Sequence, residues 1–73
     1  MTTETVAAGL PLFAVDGATV SMTFGNPLRK SADLEVWEPV GYSGPFVHAG
    51  AGVHYRIDVV APDYLGSLTV TTP

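Results

Sequence analysis

Apolar and polar residues alternate along most of this chain. Val53, Tyr55, Ile57 and Val59 occupy every second position, with His54, Arg56 and Asp58 between them. Successive side chains of a strand point to opposite faces, so this spacing predicts a strand with one face buried and one wet. The same period places Val20, Met22 and Phe24 on one side of a strand over 19–24, opposite Thr19, Ser21 and Thr23. Ser67 to Thr71 repeats it, with Leu68 and Val70 inward. Leu34 to Glu38 reads as a further strand, with Leu34, Val36 and Glu38 on one side and Glu35 and Trp37 on the other. Leu10 to Val15 and Phe46 to His48 are shorter candidates, and Pro11 places the first of these at a sheet edge or strand start. Helical spacing of apolar residues is absent, apart from room for one turn at Ser31-Ala32-Asp33.

Turn-forming residues separate these runs. Asp16-Gly17 suits a two-residue type I′ turn, which predicts a hairpin between the runs over 10–15 and 19–24. Ala49-Gly50-Ala51-Gly52 predicts a second hairpin, between Phe46–His48 and the strand that starts at Val53. Gly25-Asn26-Pro27, the polar run over 28–33, Pro39 to Pro45 and Ala61-Pro62-Asp63 read as connections. The expected fold class is all-β: a small β-sandwich or partly closed barrel of five to six short antiparallel strands. Residues 1–9 are expected as an N-terminal arm or frayed edge, and residues 10–73 as a single β domain. The expected core is Val20, Met22, Phe24, Leu34, Val36, Phe46, Val53, Tyr55, Ile57, Val59, Leu68 and Val70.

Composition changes what such a fold needs. A core drawn from 73 residues is marginal, and small domains are usually stapled by disulfides, metals or association. The chain has no cysteine, which removes disulfides and thiolate zinc sites, and its two histidines make a poor structural metal site. Association with copies of itself or with a larger body is the remaining support. Charged residues are only 14% of the chain, so uncharged surface is left for a partner.

Seven carboxylates against Arg29, Lys30 and Arg56 give a net charge of −4. Phosphate backbones and anionic lipid both call for a basic surface, so neither a direct nucleic-acid role nor membrane attraction is expected. The start Met1-Thr2-Thr3-Glu4 lacks the basic residues of a signal peptide, and no apolar run reaches membrane-spanning length. A protein made in a cytoplasm is expected.

Candidate chemistry is thin. A four-residue loop over 49–52 would set His48 and His54 on opposite faces, out of reach of a shared metal. Glu35 and Glu38 fall on opposite faces of one strand, and Asp58 and Asp63 flank a bend, which suits solvation better than paired acid–base work. Gly41-Tyr42-Ser43-Gly44 resembles a nucleophile elbow, but Pro45 occupies the last Gly position and no strand-to-helix context follows. Gly50-Ala51-Gly52 runs on into a strand and lacks the third glycine of a dinucleotide fingerprint. No enzyme activity, cofactor or metal is expected. The aromatics Trp37, Tyr42 and Tyr64 are the candidate partner-binding residues, because amphipathic rings dominate interface hot spots.

In overall character the chain resembles the small β-rich accessory proteins of tailed-phage virions, of the capsid decoration or head-completion type. The residues that carry this are the Met1-Thr2-Thr3-Glu4 start, the Gly/Pro-punctuated strands such as Val53-His54-Tyr55-Arg56-Ile57-Asp58-Val59, and the Thr-rich end Leu68-Thr69-Val70-Thr71-Thr72-Pro73. The resemblance implies a virion protein, made in the host cytoplasm, that docks without catalysis on a lattice such as a major capsid protein, often as a trimer. The alternative is an immunoglobulin-like or carbohydrate-binding module that uses the exposed aromatics.

Overall fold

A computed structural model describes residues 1–23, 27–58 and 66–73. They form eight strands: β1 (Thr2–Ala7), β2 (Leu12–Ala14), β3 (Thr19–Met22), β4 (Leu28–Ser31), β5 (Glu38–Val40), β6 (Phe46–Val47), β7 (Val53–Ile57) and β8 (Ser67–Thr72). Sheet A has the order β1-β8-β3-β6 and sheet B the order β2-β7-β4-β5, with every pairing antiparallel. Among the described residues both sheets keep two open edges, so the fold is a sandwich and not a closed barrel. No helix occurs among the described residues.

The core lies between the sheets. The alternation of β7 buries Tyr55 and Ile57, that of β8 buries Leu68 and Val70, and Val20 of β3 is buried beside Val70 in the same sheet. Met22, Phe46 and Val53 pack against this cluster half-buried, as the period-two pattern predicts. Leu12, Ala14, Ala18 and Leu28 complete it. Phe24 and Val59 lie outside the described residues.

Neither expected hairpin forms. A turn at Asp16-Gly17 is present, closed by the Ala18 N–H on the Val15 carbonyl at 3.0 Å, but only Gly17 has positive φ. That is the type II pattern rather than I′. The turn carries the chain from sheet B to sheet A, so that Leu12 and Ala14 meet Val20 across the core instead of beside it. The segment 49–52 likewise links β6 in sheet A to β7 in sheet B. Turn and segment adjoin: the Gly17 N–H donates to the His48 carbonyl at 2.8 Å, the His48 N–H to the Ala18 carbonyl at 2.7 Å, and the Gly50 N–H to Asp16 Oδ1 at 2.8 Å.

Two further expectations are corrected. The polar run from Leu28 is β4, an inner strand of sheet B that buries Leu28 opposite Ile57. Conversely, 34–37 is not strand, and Leu34 and Val36 are not core: they are 48% and 68% exposed. The cause is local. Asp33 Oδ1 accepts the N–H groups of Glu35 and Val36 and the Ser31 hydroxyl, while Ser31 Oγ accepts the N–H groups of Asp33 and Leu34. These side chains satisfy the backbone donors that a ladder would use, and they turn the chain. Leu34 takes φ 65° in that bend. Strand resumes only at Glu38, and β5 tolerates Pro39 because it is an edge. Residues 2–7, expected within an arm or frayed edge, form β1, paired with β8 from Thr2↔Thr72 to Ala7↔Ser67.

Candidate docking face

Once the core positions are known, alternation assigns the outward ones. On sheet B, burial of Leu12 and Ala14 turns Phe13 and Val15 outward, and burial of Tyr55 and Ile57 turns His54 and Arg56 outward. Register then places Phe13 beside His54, and Arg56 beside Arg29, which is beside Pro39. The result is a continuous aromatic and cationic face.

Its contacts are specific. The Phe13 and His54 rings lie 4.9 Å apart at 59°. Phe13 also lies over Gly52, where an added Cβ would come 2.2 Å from Phe13 Cζ, so this placement of the ring requires glycine. The Arg56 guanidinium sits 4.2 Å from the Trp37 ring centroid. Asp58 holds both arginines, through Arg56 Nη2 at 3.3 Å and through Arg29 Nε. Partly exposed ion pairs and a cation–π contact contribute little stability, on the order of 1 kcal/mol each or less. Their effect is to fix where the guanidinium and indole point.

Of the sequence-selected aromatics, Trp37 joins this face, against Arg56. Tyr42 does not join it. Its hydroxyl accepts the Met22 N–H at 3.2 Å, and its ring meets Phe46 edge-on at 6.1 Å, closing one flank of the core. Tyr64 lies outside the described residues. Sequence reasoning missed Phe13, Val15 and Arg29. The detectable signal was their phase: each is one position from a buried residue.

The histidines do lie apart, although not through the hairpin pairing expected, because β6 and β7 belong to different sheets. His54 is outward on Phe13, while His48 is buried against inward Tyr55. His48 Nε2 lies 2.7 Å from the Ala51 carbonyl, which can only accept, so Nε2 carries the hydrogen. Nδ1 then accepts from the Tyr55 hydroxyl at 2.8 Å. Burial pushes the Tyr55 phenol above its ordinary pKa.

A groove of about 310 Å³ opens beside the 32–36 bend, lined by Lys30, Ser31, Asp33, Val36, Glu38 and Val53 among others. The N–H groups of Glu35 and Val36 hold the Asp33 carboxyl below its usual value. That carboxylate is occupied in shaping the bend. Among the described residues no cluster of three or more His, Asp or Glu side chains could hold a metal.

The outer face of sheet A has the opposite character. Thr3 and Thr71 share a hydroxyl contact at 3.3 Å, and Thr5 and Thr69 one at 3.0 Å. Thr19 and Ser21 continue the rows across β3. Comparison with protein-family models, with curated proteins and with solved structures finds no match to this chain.

Proposed function

We propose that this domain is a non-catalytic docking module that binds a larger protein assembly through the outer face of sheet B. The observation that carries the proposal is the pair of contacts Phe13–His54 and Trp37–Arg56 on one sheet face: aromatic and arginine side chains, the types enriched at interface centres, held in fixed positions. Phe13 is 50% and Val15 39% exposed there, apolar area that a folded monomer gains nothing by displaying. Two of the chain's three cations, Arg29 and Arg56, stand on this face of an otherwise acidic protein, which suits a partner bearing apolar and carboxylate groups. Together with the resemblance of the sequence to phage accessory proteins, this supports a capsid lattice as the partner and the virion as the location.

Carbohydrate stacking is less well served, because Arg56 covers one face of Trp37 and Phe13 lies against Gly52. The test is co-sedimentation with shells assembled from the major capsid protein encoded nearest to this chain. Saturable binding that Arg56→Glu weakens by tenfold or more is expected. Absence of shell binding, with glycan-array binding lost in Trp37→Ala, would replace this reading by the carbohydrate one.

A further inference from the structure

Among the described residues four strand edges are open: β1 and β6 in sheet A, β2 and β5 in sheet B. Three are blunted. β6 has two residues, β2 has three, and β5 has three with Pro39 in the middle. Short strands and proline are standard protection against edge pairing. β1 is different: it has six residues, no proline, and no strand on its outer side among the described residues.

Which of its backbone groups are available follows from two bonds. The Ala8 N–H donates to the Gly66 carbonyl at 3.0 Å, next to the pair Ala7↔Ser67. In an antiparallel ladder, hydrogen-bonded and non-hydrogen-bonded pairs alternate. Even-numbered residues of β1 therefore turn their N–H and C=O toward β8, and Thr3, Thr5 and Ala7 turn theirs the other way. Of these, the Ala7 carbonyl is already taken by the Leu10 N–H at 3.2 Å, which leaves both groups of Thr3 and Thr5 and the N–H of Ala7.

We infer that this edge takes a second copy of the same chain, β1 antiparallel to β1, about a two-fold axis at Thr5. The register is selected by charge. Centring on Thr5 pairs Thr3 with Ala7 of the second copy and Thr5 with Thr5, which makes about four backbone hydrogen bonds without disturbing the Ala7 carbonyls. It also sets Glu4, the strand's only charge, beside Val6 of the second copy. A shift that centres the axis on Glu4 brings two carboxylates directly opposite, which is destabilising. A shift the other way, centred on Val6, leaves about two bonds. The strand is thus complementary to itself in one register. The two four-stranded A sheets become one eight-stranded sheet, and the threonine rows of the outer faces run on across the join. Such pairing also supplies the staple that a cysteine-free domain of this size lacks. It involves neither sheet B nor its outer face, so it stands or falls independently of the docking proposal.

Sedimentation of the full chain from micromolar to millimolar concentration tests it, with a doubling of mass expected. Thr5→Pro removes an outward N–H that the β1·β8 ladder does not use, so it should abolish the dimer and leave the circular dichroism spectrum unchanged. The chain has no cysteine, which allows a second test that does not depend on how the proline variant folds. Thr5→Cys should form a disulfide-linked dimer on mild oxidation, since facing Cα atoms lie about 5.5 Å apart, within disulfide reach. Thr3→Cys should not, because its equivalent lies four residues along the strand, roughly 13 Å away. A monomer at all concentrations, a trimer, a dimer indifferent to Thr5→Pro in a folded chain, or preferential cross-linking through Thr3→Cys would each overturn the inference.

Discussion

The two outer faces of this sandwich are built by the same rule and carry opposite contents. On sheet A the positions between core residues hold Thr3, Thr5, Thr19, Ser21, Thr69 and Thr71, small hydroxyl groups that contact one another across strands. On sheet B the equivalent positions hold Phe13, Val15, Arg29, His54 and Arg56, with Trp37 laid against the last. Both sheets already bury their inner faces, so folding does not dictate what stands outside. The difference therefore reflects what each face meets: solvent and its own hydroxyl rows for sheet A, and, on the proposed function, a protein surface for sheet B.

Removing the large side chains of sheet B tests this contrast most severely. Phe13→Ala and Trp37→Ala should each weaken docking by about 2 kcal/mol or more, roughly thirtyfold in dissociation constant, as titration against the assembled partner would read. Next in size is Gly52→Ala, whose new Cβ must displace the Phe13 ring. A loss of about 1–3 kcal/mol in urea unfolding is expected, together with weakened docking. Tyr55→Phe probes the layer beneath the face by removing the hydrogen bond to His48, worth about 1 kcal/mol. Its pH signature has a definite sign. The folded-state pKa of Tyr55 lies above the unfolded value of about 10. The associated stability is full below that value and declines as pH rises through the folded pKa, and Tyr55→Phe should flatten the decline. The smallest effect belongs to sheet A: Thr69→Val should change stability by no more than about 0.5 kcal/mol and leave docking untouched.

What could be read from the sequence follows from how local each signal is. β7, β8 and β3 were legible because their alternation runs long enough to exclude a helix, and they supply Val20, Tyr55, Ile57, Leu68 and Val70 to the core. The sheet changes at Asp16-Gly17 and 49–52 were not. A turn that reverses a strand and one that sends it to the facing sheet join identical patterns, and only the partners far along the chain decide. β4 offers a single apolar residue, Leu28, before Arg29 and Lys30, and its identity as a strand depends on pairing with β7 and β5. Leu34 and Val36 had the right spacing but lost to the bonds of Ser31 and Asp33. Trp37 was conspicuous as the only tryptophan, whereas Phe13 and Arg29 reach the face only through register. Tyr42, in a loop of turn formers, was read as surface, yet its hydroxyl accepts a strand N–H.

The adjoining crossings near Asp16 and His48 have a mechanical consequence. Bonds from Gly17, His48 and Gly50 tie the two places where the chain changes sheets into one seam. Closing that seam requires residues thirty or more positions apart to meet, so it forms late for its size and holds both sheets once formed. Native-state fluctuations should then start away from it, with the sandwich breathing like a book from its unbound side. In hydrogen exchange, the amides of Gly17 and His48 should persist like strand amides, although neither lies in a strand.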